Sequence, residues 1–524
     1  MSARLANLAR SFRILRLSTF WFIRRRLGCI SVVNWLVKKK ISNYFNRAGG
    51  RYSRDMRNGE TFLRKATKGR FAGYTICLLL LVVSLMAHAD SATVAPSITF
   101  SVSADRALKY PSSIKFLPDE HSTILPVPGR PGVHNFFEVM VNVVGSHWYG
   151  GMFVLQSSNL TNLSFAPGFG KPDHGQAVFW EPHPNNCNYS GVTHFDEQYA
   201  GPGSVLQDPT LPLGNLIMVY EAEIHCPKVA NGVIAGWVSV GVTRSADGGK
   251  NWPLPNALPG YEHDWLEYGN GRYAAITIPG TPPKTVNNQF YADGLPSAFI
   301  DDMDPSGNYY IYVPYTFTGA PGAKADAKIH IARAKIGDRS GHREPDQLHF
   351  RKWYKGGWTQ EGRGGLEDGI GDKCAPIYGE GGAQIEYNDA LGLYMMTFTC
   401  TTILCPGGKC APSKFSLFYS TATSLAAQDW TTPQLMENST YPYQPDPKSK
   451  GNNNIDGGYP SFMSPGCEPG HLGLSGTVFI MKGDAVGERT FASRSFTIKS
   501  NGTTRTGDHR APALANGCRA HPGS

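Results

Sequence analysis

Hydrophobic positions along this chain fall in short runs that Gly, Pro, Asn and Asp repeatedly break, and helical spacing is hard to find. One order recurs. A small residue starts a short strand, a turn follows, and a strand rich in Tyr, Met and Val comes next. It reads Gly203-Ser204-Val205-Leu206, then Leu216-Ile217-Met218-Val219-Tyr220. It returns as Pro296-Ser297-Ala298-Phe299 before Tyr309-Tyr310-Ile311-Tyr312-Val313, and as Gly382-Ala383-Gln384-Ile385 before Leu393-Tyr394-Met395-Met396. A fourth copy is Pro460-Ser461-Phe462-Met463 before Val478-Phe479-Ile480-Met481. The intervals between positions 204, 297, 383 and 461 are 93, 86 and 78 residues. A fainter first copy is read at Phe137-Glu138-Val139-Met140, followed by Tyr149 to Leu155. A third strand and a closing aromatic follow, as in Ile329 to Ala334 with Trp353 and Ser416 to Ser420 with Trp430. Five copies in the 435 residues from Asp90 to Ser524 leave 87 each, enough for four strands with loops. The pattern predicts an all-β fold, a five-bladed β-propeller with four-stranded antiparallel blades. A β-sandwich is the competing arrangement. The strand near Ile98 to Val102 is positioned to complete the last blade.

Composition agrees. Gly 59 and Pro 37 are high for a helical protein, and aromatics make up 11%. The net charge of +9 misleads, because it belongs to one end. Residues 1–70 hold 18 Lys and Arg against Asp55 and Glu60; the remainder holds 32 basic and 39 acidic residues, a net −7. The body is therefore no nucleic-acid binder by charge. Arg64, Lys65, Lys68 and Arg70 precede an uncharged tract, Tyr74 to Leu85, and then Ala87-His88-Ala89. That is the order of a secretory signal, with cleavage expected after Ala89. The organisation read is a basic extension over 1–69, a signal peptide over 70–89 and one propeller domain over 90–524. Initiation at Met56 would give a 34-residue signal and leave residues 1–55 untranslated. The competing reading is a signal-anchor with a basic cytoplasmic tail, the only membrane contact considered. Eight cysteines remain after residue 89, an even number suited to disulfides in an oxidising compartment. Cys405 and Cys410, around Pro406-Gly407-Gly408, are expected to close a small loop.

Stretches of the chain resemble two known families. Ser245-Ala246-Asp247-Gly248-Gly249-Lys250-Asn251-Trp252 resembles the Asp-box of sialidase-like propellers, a structural turn remote from their active sites. It implies a hairpin in which Asp247 accepts backbone N–H groups, the glycines take positive φ and Trp252 packs the blade. No arginine triad accompanies it, so a sialidase-like enzyme is the lesser reading. Pro296-Ser297-Ala298-Phe299-Ile300-Asp301-Asp302 with Gly307 to Tyr312 resembles the second-carboxylate blade of glycoside hydrolase family 43. One copy later, Glu380-Gly381-Gly382-Ala383-Gln384-Ile385 resembles that family's general-acid motif. Leu295 stands where the family places an Asp before the proline, and Gly382 replaces the proline of the acid motif. The likeness is to a distant five-bladed relative of family 43 and its furanosidase kin. It implies hydrolysis of a polysaccharide or glycan, furanosidic and arabinan-type among the options, with no cofactor.

In a propeller, residues just before each inner strand converge on one central pocket. Glycosidic cleavage needs one carboxylic acid to protonate the leaving oxygen and one carboxylate to activate water or attack. Glu380 is the expected general acid, Asp196 the base with Glu197 as second choice, and Asp293 the group that tunes and orients them. Asp456, His194, Trp148 and Tyr459 are expected substrate contacts, alongside Glu197, with Tyr149 and His225 near the same openings. Asp301-Asp302-Met303-Asp304 lacks the spacing and terminal Glu of a calcium loop and reads as an inter-strand turn; structural calcium is unsupported and no metal is expected. There is no P-loop, G-x-S-x-G or H-E-x-x-H. The alternative from a different class is a non-catalytic carbohydrate-binding or surface-interaction propeller.

Overall fold

Each repeat of the sequence becomes an antiparallel meander. The computed structural model describes residues 98–518 except 117–119, 181–194, 197–198, 225–236, 254–266, 269–270, 280–290, 321–322, 325–327, 371–381, 405–410, 440, 443–453, 485–489 and 501–517. The described residues belong to one unit, Ala95–Ser524. They are all-β apart from a single 3-10 turn, Pro172–His174.

The first meander runs Thr123–Pro126, His134–Val144, His147–Ser157 and Ser164–Phe165. The second runs Tyr199–Gln207, Leu216–Ile224, Trp237–Ser245 and Arg272–Ile276. The third runs Phe299–Asp301, Asn308–Ala320, Ile329–Asp338 and Arg351–Tyr354, with Gly357–Glu361 outside it. The fourth runs Gln384–Asn388, Leu393–Leu404, Ala411–Ala422 and Gln434–Leu435. The fifth runs Asn454–Met463, Ser475–Asp484 and Thr490–Ser500. Its outer strand is Ile98–Val102, which pairs antiparallel with Thr490–Ser500, as the sequence led us to expect. A short parallel pair, Trp237–Val238 with Tyr291–Ala292, joins the second and third meanders into one twelve-stranded sheet.

The innermost strands are linked by side-chain bonds that return to their starting point. Val205 N–H donates to Thr123 Oγ1 at 2.9 Å, and Ala298 N–H to Ser204 Oγ at 2.9 Å. Ser297 Oγ donates to the Ala383 carbonyl, and Phe462 N–H to Gln384 Oε1 at 3.3 Å. Ser122 N–H donates to Ser461 Oγ at 2.9 Å. The small residues that marked the repeats therefore sit at the axis because each lets a neighbouring strand approach. Gly203 shows how close: a Cβ there would lie 1.9 Å from the Pro296 carbonyl oxygen.

Apolar cores lie between successive meanders. Phe137, Met152 and Val154 meet Met218, Tyr220 and Trp237. Ile217, Val219 and Val240 meet Ile311, Val313 and Tyr315, and Phe299 and Tyr312 meet Ile385, Tyr394 and Met396. Met395, Leu417 and Tyr419 meet Phe462, Val478 and Ile480. Phe479 and Phe491 of the fifth meander then pack on Phe136 and Phe153 of the first. Burial on both faces explains why these strands read as continuous apolar runs rather than alternating ones.

One alignment needed correcting. Phe137 to Met140 and Tyr149 to Leu155 belong to the second and third strands of the first meander, not its first two. The inner strand is Thr123–Pro126, whose four residues carry too little apolar length to stand out.

The Ser245 to Trp252 turn has the expected geometry. Asp247 Oδ1 accepts from the Lys250 and Asn251 N–H groups at 3.1 and 3.0 Å, and Gly248 and Gly249 have φ of 78° and 88°. Trp252 is buried in the core between the first two meanders. Asp301 to Asp304 also forms a turn between strands, with Asp304 accepting the Ser306 N–H at 2.8 Å. Cys467 and Cys518 form a disulfide. Cys405 and Cys410, the basic arm and the apolar tract from Tyr74 to Leu85 lie outside the described residues.

Candidate functional site

The inner strands all run in the same sense, so the residues just before them gather at one mouth of the ring. Here the backbone is unusual. Leu295 and Tyr459 both take left-handed φ, 51° and 50°, each directly before a Pro-Ser pair that enters an inner strand. That conformation is costly for a side chain other than glycine's, and such strain gathers at functional sites. The mouth is drawn tight around them. His121 Nδ1 donates to the Pro460 carbonyl at 3.0 Å, and a Cβ on Gly382 would lie 2.5 Å from the Leu295 carbonyl oxygen.

Three carboxyl groups meet at this mouth. Glu120 precedes the inner strand of the first meander and is 1% exposed. Glu221 and Glu223 extend from the second strand of the second meander, where alternation puts both on one face. Glu221 bonds to Glu120 on one side and to Glu223 on the other, and it accepts the Leu295 N–H. Burial, and then Glu221 and Glu223, drive the carboxyl of Glu120 well above the ordinary range; burial and then Glu223 do the same for Glu221, against its bonds to Glu120 and the Leu295 N–H. Burial raises Glu223 too, against its bond to Glu221. Like charges this close resist ionising together, which raises the cost of a second negative charge in the cluster. Tyr199, at the head of its inner strand, lies in the field of all three acids and of Tyr459, and burial first and those charges second hold its hydroxyl protonated.

Asp196 and Asp293 are turned elsewhere. Asp196 has no exposed surface; it accepts from Arg272 Nη1 and from the Tyr220 hydroxyl, both at 3.1 Å. The Arg272 guanidinium in turn stacks 3.9 Å above the Phe179 ring. Asp293, also without exposed surface, pairs with Lys352 Nζ at 2.9 Å. Burial, then the nearby Glu367 charge, raises Asp293 to about 7 against the pull of Lys352. Tyr459 is at the mouth, 5% exposed, with its ring 6.0 Å from that of His121. Trp148 stands 62% exposed at the tip of the hairpin of the first meander. Asp456 lies in the strand Asn454–Met463, opposite Lys482, with its side chain outside the described residues. Glu380, Glu197, His194 and His225 also lie outside the described residues.

A cavity of about 540 Å³ is bordered by the ring-linking residues Ser122, Ser204 and Gln384 and, further along, by Leu206, Phe462 and His471. His471 is clamped there by Asp389 at 2.9 Å and Asp302 at 3.4 Å; these acids outweigh burial and raise it to about 10. Among the described residues no set of three His, Cys, Asp or Glu side chains is arranged to hold a metal ion.

No protein-family model matches the chain, and no curated protein matches it. Solved structures similar to it include glycoside hydrolases at low identity. An α-L-arabinofuranosidase from Lactobacillus brevis is 13% identical over 73% of this chain and 91% of its own, with a TM-score of 0.34. A levansucrase from Bacillus subtilis is 11% identical over 78% and 86%, with a TM-score of 0.38. An N-acetylgalactosamine deacetylase from F. plautii, solved with blood group B trisaccharide, is 10% identical over 77% and 94%, with a TM-score of 0.36. At these scores the likenesses support no assignment.

Proposed function

We propose that this chain is a secreted five-bladed β-propeller that hydrolyses glycosidic bonds in a polysaccharide or glycan, with furanosidic, arabinan-type substrates among the options. The observation that carries the reading is the bonded cluster Glu120–Glu221–Glu223 at the mouth of the ring. A cluster that holds both a proton and a negative charge offers the acid and base forms that glycosidic cleavage uses. Glu120 and Glu221 are bonded to each other, so they cannot flank a glycosidic oxygen at the roughly 5–5.5 Å or 6.5–9.5 Å separation that retaining or inverting enzymes need. They act as one titrating unit, and its ionised member activates water or attacks. The other partner is Glu380, the general acid of the sequence reading. Glu380 lies outside the described residues, and its place as partner rests on the sequence motif before Gly382. Asp196, committed to Arg272, supports the mouth instead of serving as base.

The test is hydrolysis of natural polysaccharides and of aryl glycosides with good leaving groups. Glu380→Gln should lose on the order of 10²–10⁴-fold on natural substrates and much less on activated ones, which need little protonation. Glu221→Gln should slow both alike. Full activity of both variants on a natural glycan would sink the assignment. The exposed Trp148 favours a second reading, a carbohydrate-binding propeller, which takes over if glycans bind and none is cleaved.

A further inference from the structure

Lys352 has no exposed surface and lies between two acids. Its Nζ is 2.9 Å from Asp293 Oδ2 and 3.2 Å from Glu367 Oε2, and it donates to the Thr277 carbonyl at 2.6 Å. Glu367 also accepts from the Tyr315 hydroxyl and lies 3.7 Å from His330 Nδ1. Taking such a group out of water costs several kcal/mol, and apolar side chains of similar volume often serve stability as well or better. Packing alone gives no reason for an ammonium here.

The strand attached to it supplies one. Asp293 belongs to Tyr291–Gly294, whose pairing with Asn308–Ala320 shifts register between Ala292 and Asp293. The ladder is broken at that bulge, so it fixes the following residues poorly. Alternation sends Asp293 to Lys352 and turns Gly294 to the other face, where a Cβ would lie 3.2 Å from Glu221 Oε1. Leu295, next in the chain, holds its left-handed φ and donates its N–H to Glu221. A backbone donor favours the ionised form of the carboxyl it meets.

We infer that Lys352 is a positioning residue: by anchoring Asp293 it holds the Leu295 N–H on Glu221 and so decides which carboxyl of the cluster carries the negative charge. The inference deepens the reading of the mouth as a carboxyl-based catalytic site and rests on it only for the consequence, since the charge distribution exists without substrate. Glu223 faces the same charge from its own strand, and Glu120 and Tyr199 face it from neighbouring segments, with Tyr459 beside Tyr199.

The experiment is a pH titration of the full chain labelled with ¹³C at glutamate carboxyls, with the Glu221 signal identified by its loss in Glu221→Gln. Lys352→Met is combined with Asp293→Asn and Glu367→Gln, so that no unpaired acid stays buried. Glu221 should then titrate at least one pH unit higher than in the unaltered chain. Asp293→Ala, which cuts the same link while leaving Lys352 paired to Glu367, should produce the same rise if the triple change does not fold. Asp293→Asn alone retains an acceptor for Lys352 and should restore the original midpoint. Glu221 titrating as in the unaltered chain in a folded triple variant, or in Asp293→Ala, overturns the inference. A raised midpoint in a protein that cleaves no glycan supports the positioning role and rejects the hydrolase reading.

Discussion

Glu138→Gln should remove a weakness that the ring acquires as pH rises. Glu138 has no exposed surface, and its Oε2 accepts from Ser122 Oγ at 2.7 Å. Its Oε1 has no partner among the described residues. Burial lifts its carboxyl to about 8, while the Ser122 bond pulls the other way. The folded protein therefore keeps a proton that the unfolded chain releases near 4.5. The group's contribution is fully present below pH 4.5 and is lost as pH climbs towards 8, at about 1.4 kcal/mol per unit. Over that window the loss reaches about 5 kcal/mol. Glutamine keeps the acceptor for Ser122 and never ionises, but it leaves an amide N–H₂ unbonded at a cost of about 1–3 kcal/mol. Near pH 8 the variant should be more stable by roughly 2–4 kcal/mol, and near pH 4.5 less stable by the amide's cost. Urea unfolding of both proteins at half-unit steps from pH 4.5 to 8.5 measures the difference. Glu120, Glu221 and Glu386 drift in the same direction in both proteins and cancel in it. Curves that stay parallel across the window would refute the reasoning.

Gly203→Ala should destabilise the protein by several kcal/mol, because its methyl would meet the Pro296 carbonyl where two inner strands close the ring; a melting temperature unchanged within a degree would show that the ring yields. His471→Gln should weaken the protein at pH 7 and make little difference above pH 10, since a cation raised to about 10 stabilises fully below 6.5 and fades through 10; equal losses at both pH values would contradict this. The exported protein should begin at Asp90 on N-terminal sequencing, and an intact basic arm in a membrane fraction would favour the anchor instead.

The fold was legible where small residues mark close approaches. Ser204, Ser297, Ala383 and Ser461 were aligned from sequence as the starts of strands, and all four take part in or adjoin the bonds that link those strands at the axis. Their smallness has a single cause, the room that converging backbones require, so the signal repeats wherever the cause does. The first meander broke the pattern because Ser122-Thr123-Ile124-Leu125-Pro126 is followed by a proline- and glycine-rich stretch before the long strand begins at His134. The louder apolar run from Phe136 to Met140 drew the alignment one strand too far.

That slip also hid the site. Searching for acids just before inner strands finds Glu120 once Ser122 is recognised as the start of the strand, whereas the alignment on Phe137 passes over it. Glu221 and Glu223 had their own mark. Two acids at alternate positions in Leu216-Ile217-Met218-Val219-Tyr220-Glu221-Ala222-Glu223-Ile224 sit on one face of an otherwise apolar strand, where an unpaired charge is expensive. A buried strand that keeps them calls for a neighbour sharing their protons, a signal carried by second strands and not by the positions before inner ones. Asp196 and Asp293 pose the opposite problem. Their local sequence places them before inner strands, but their orientation follows from Arg272 and Lys352, 76 and 59 residues later. An acid's distance from the axis can be read from its own strand; the direction in which its charge points is set by a cation that only folding brings near.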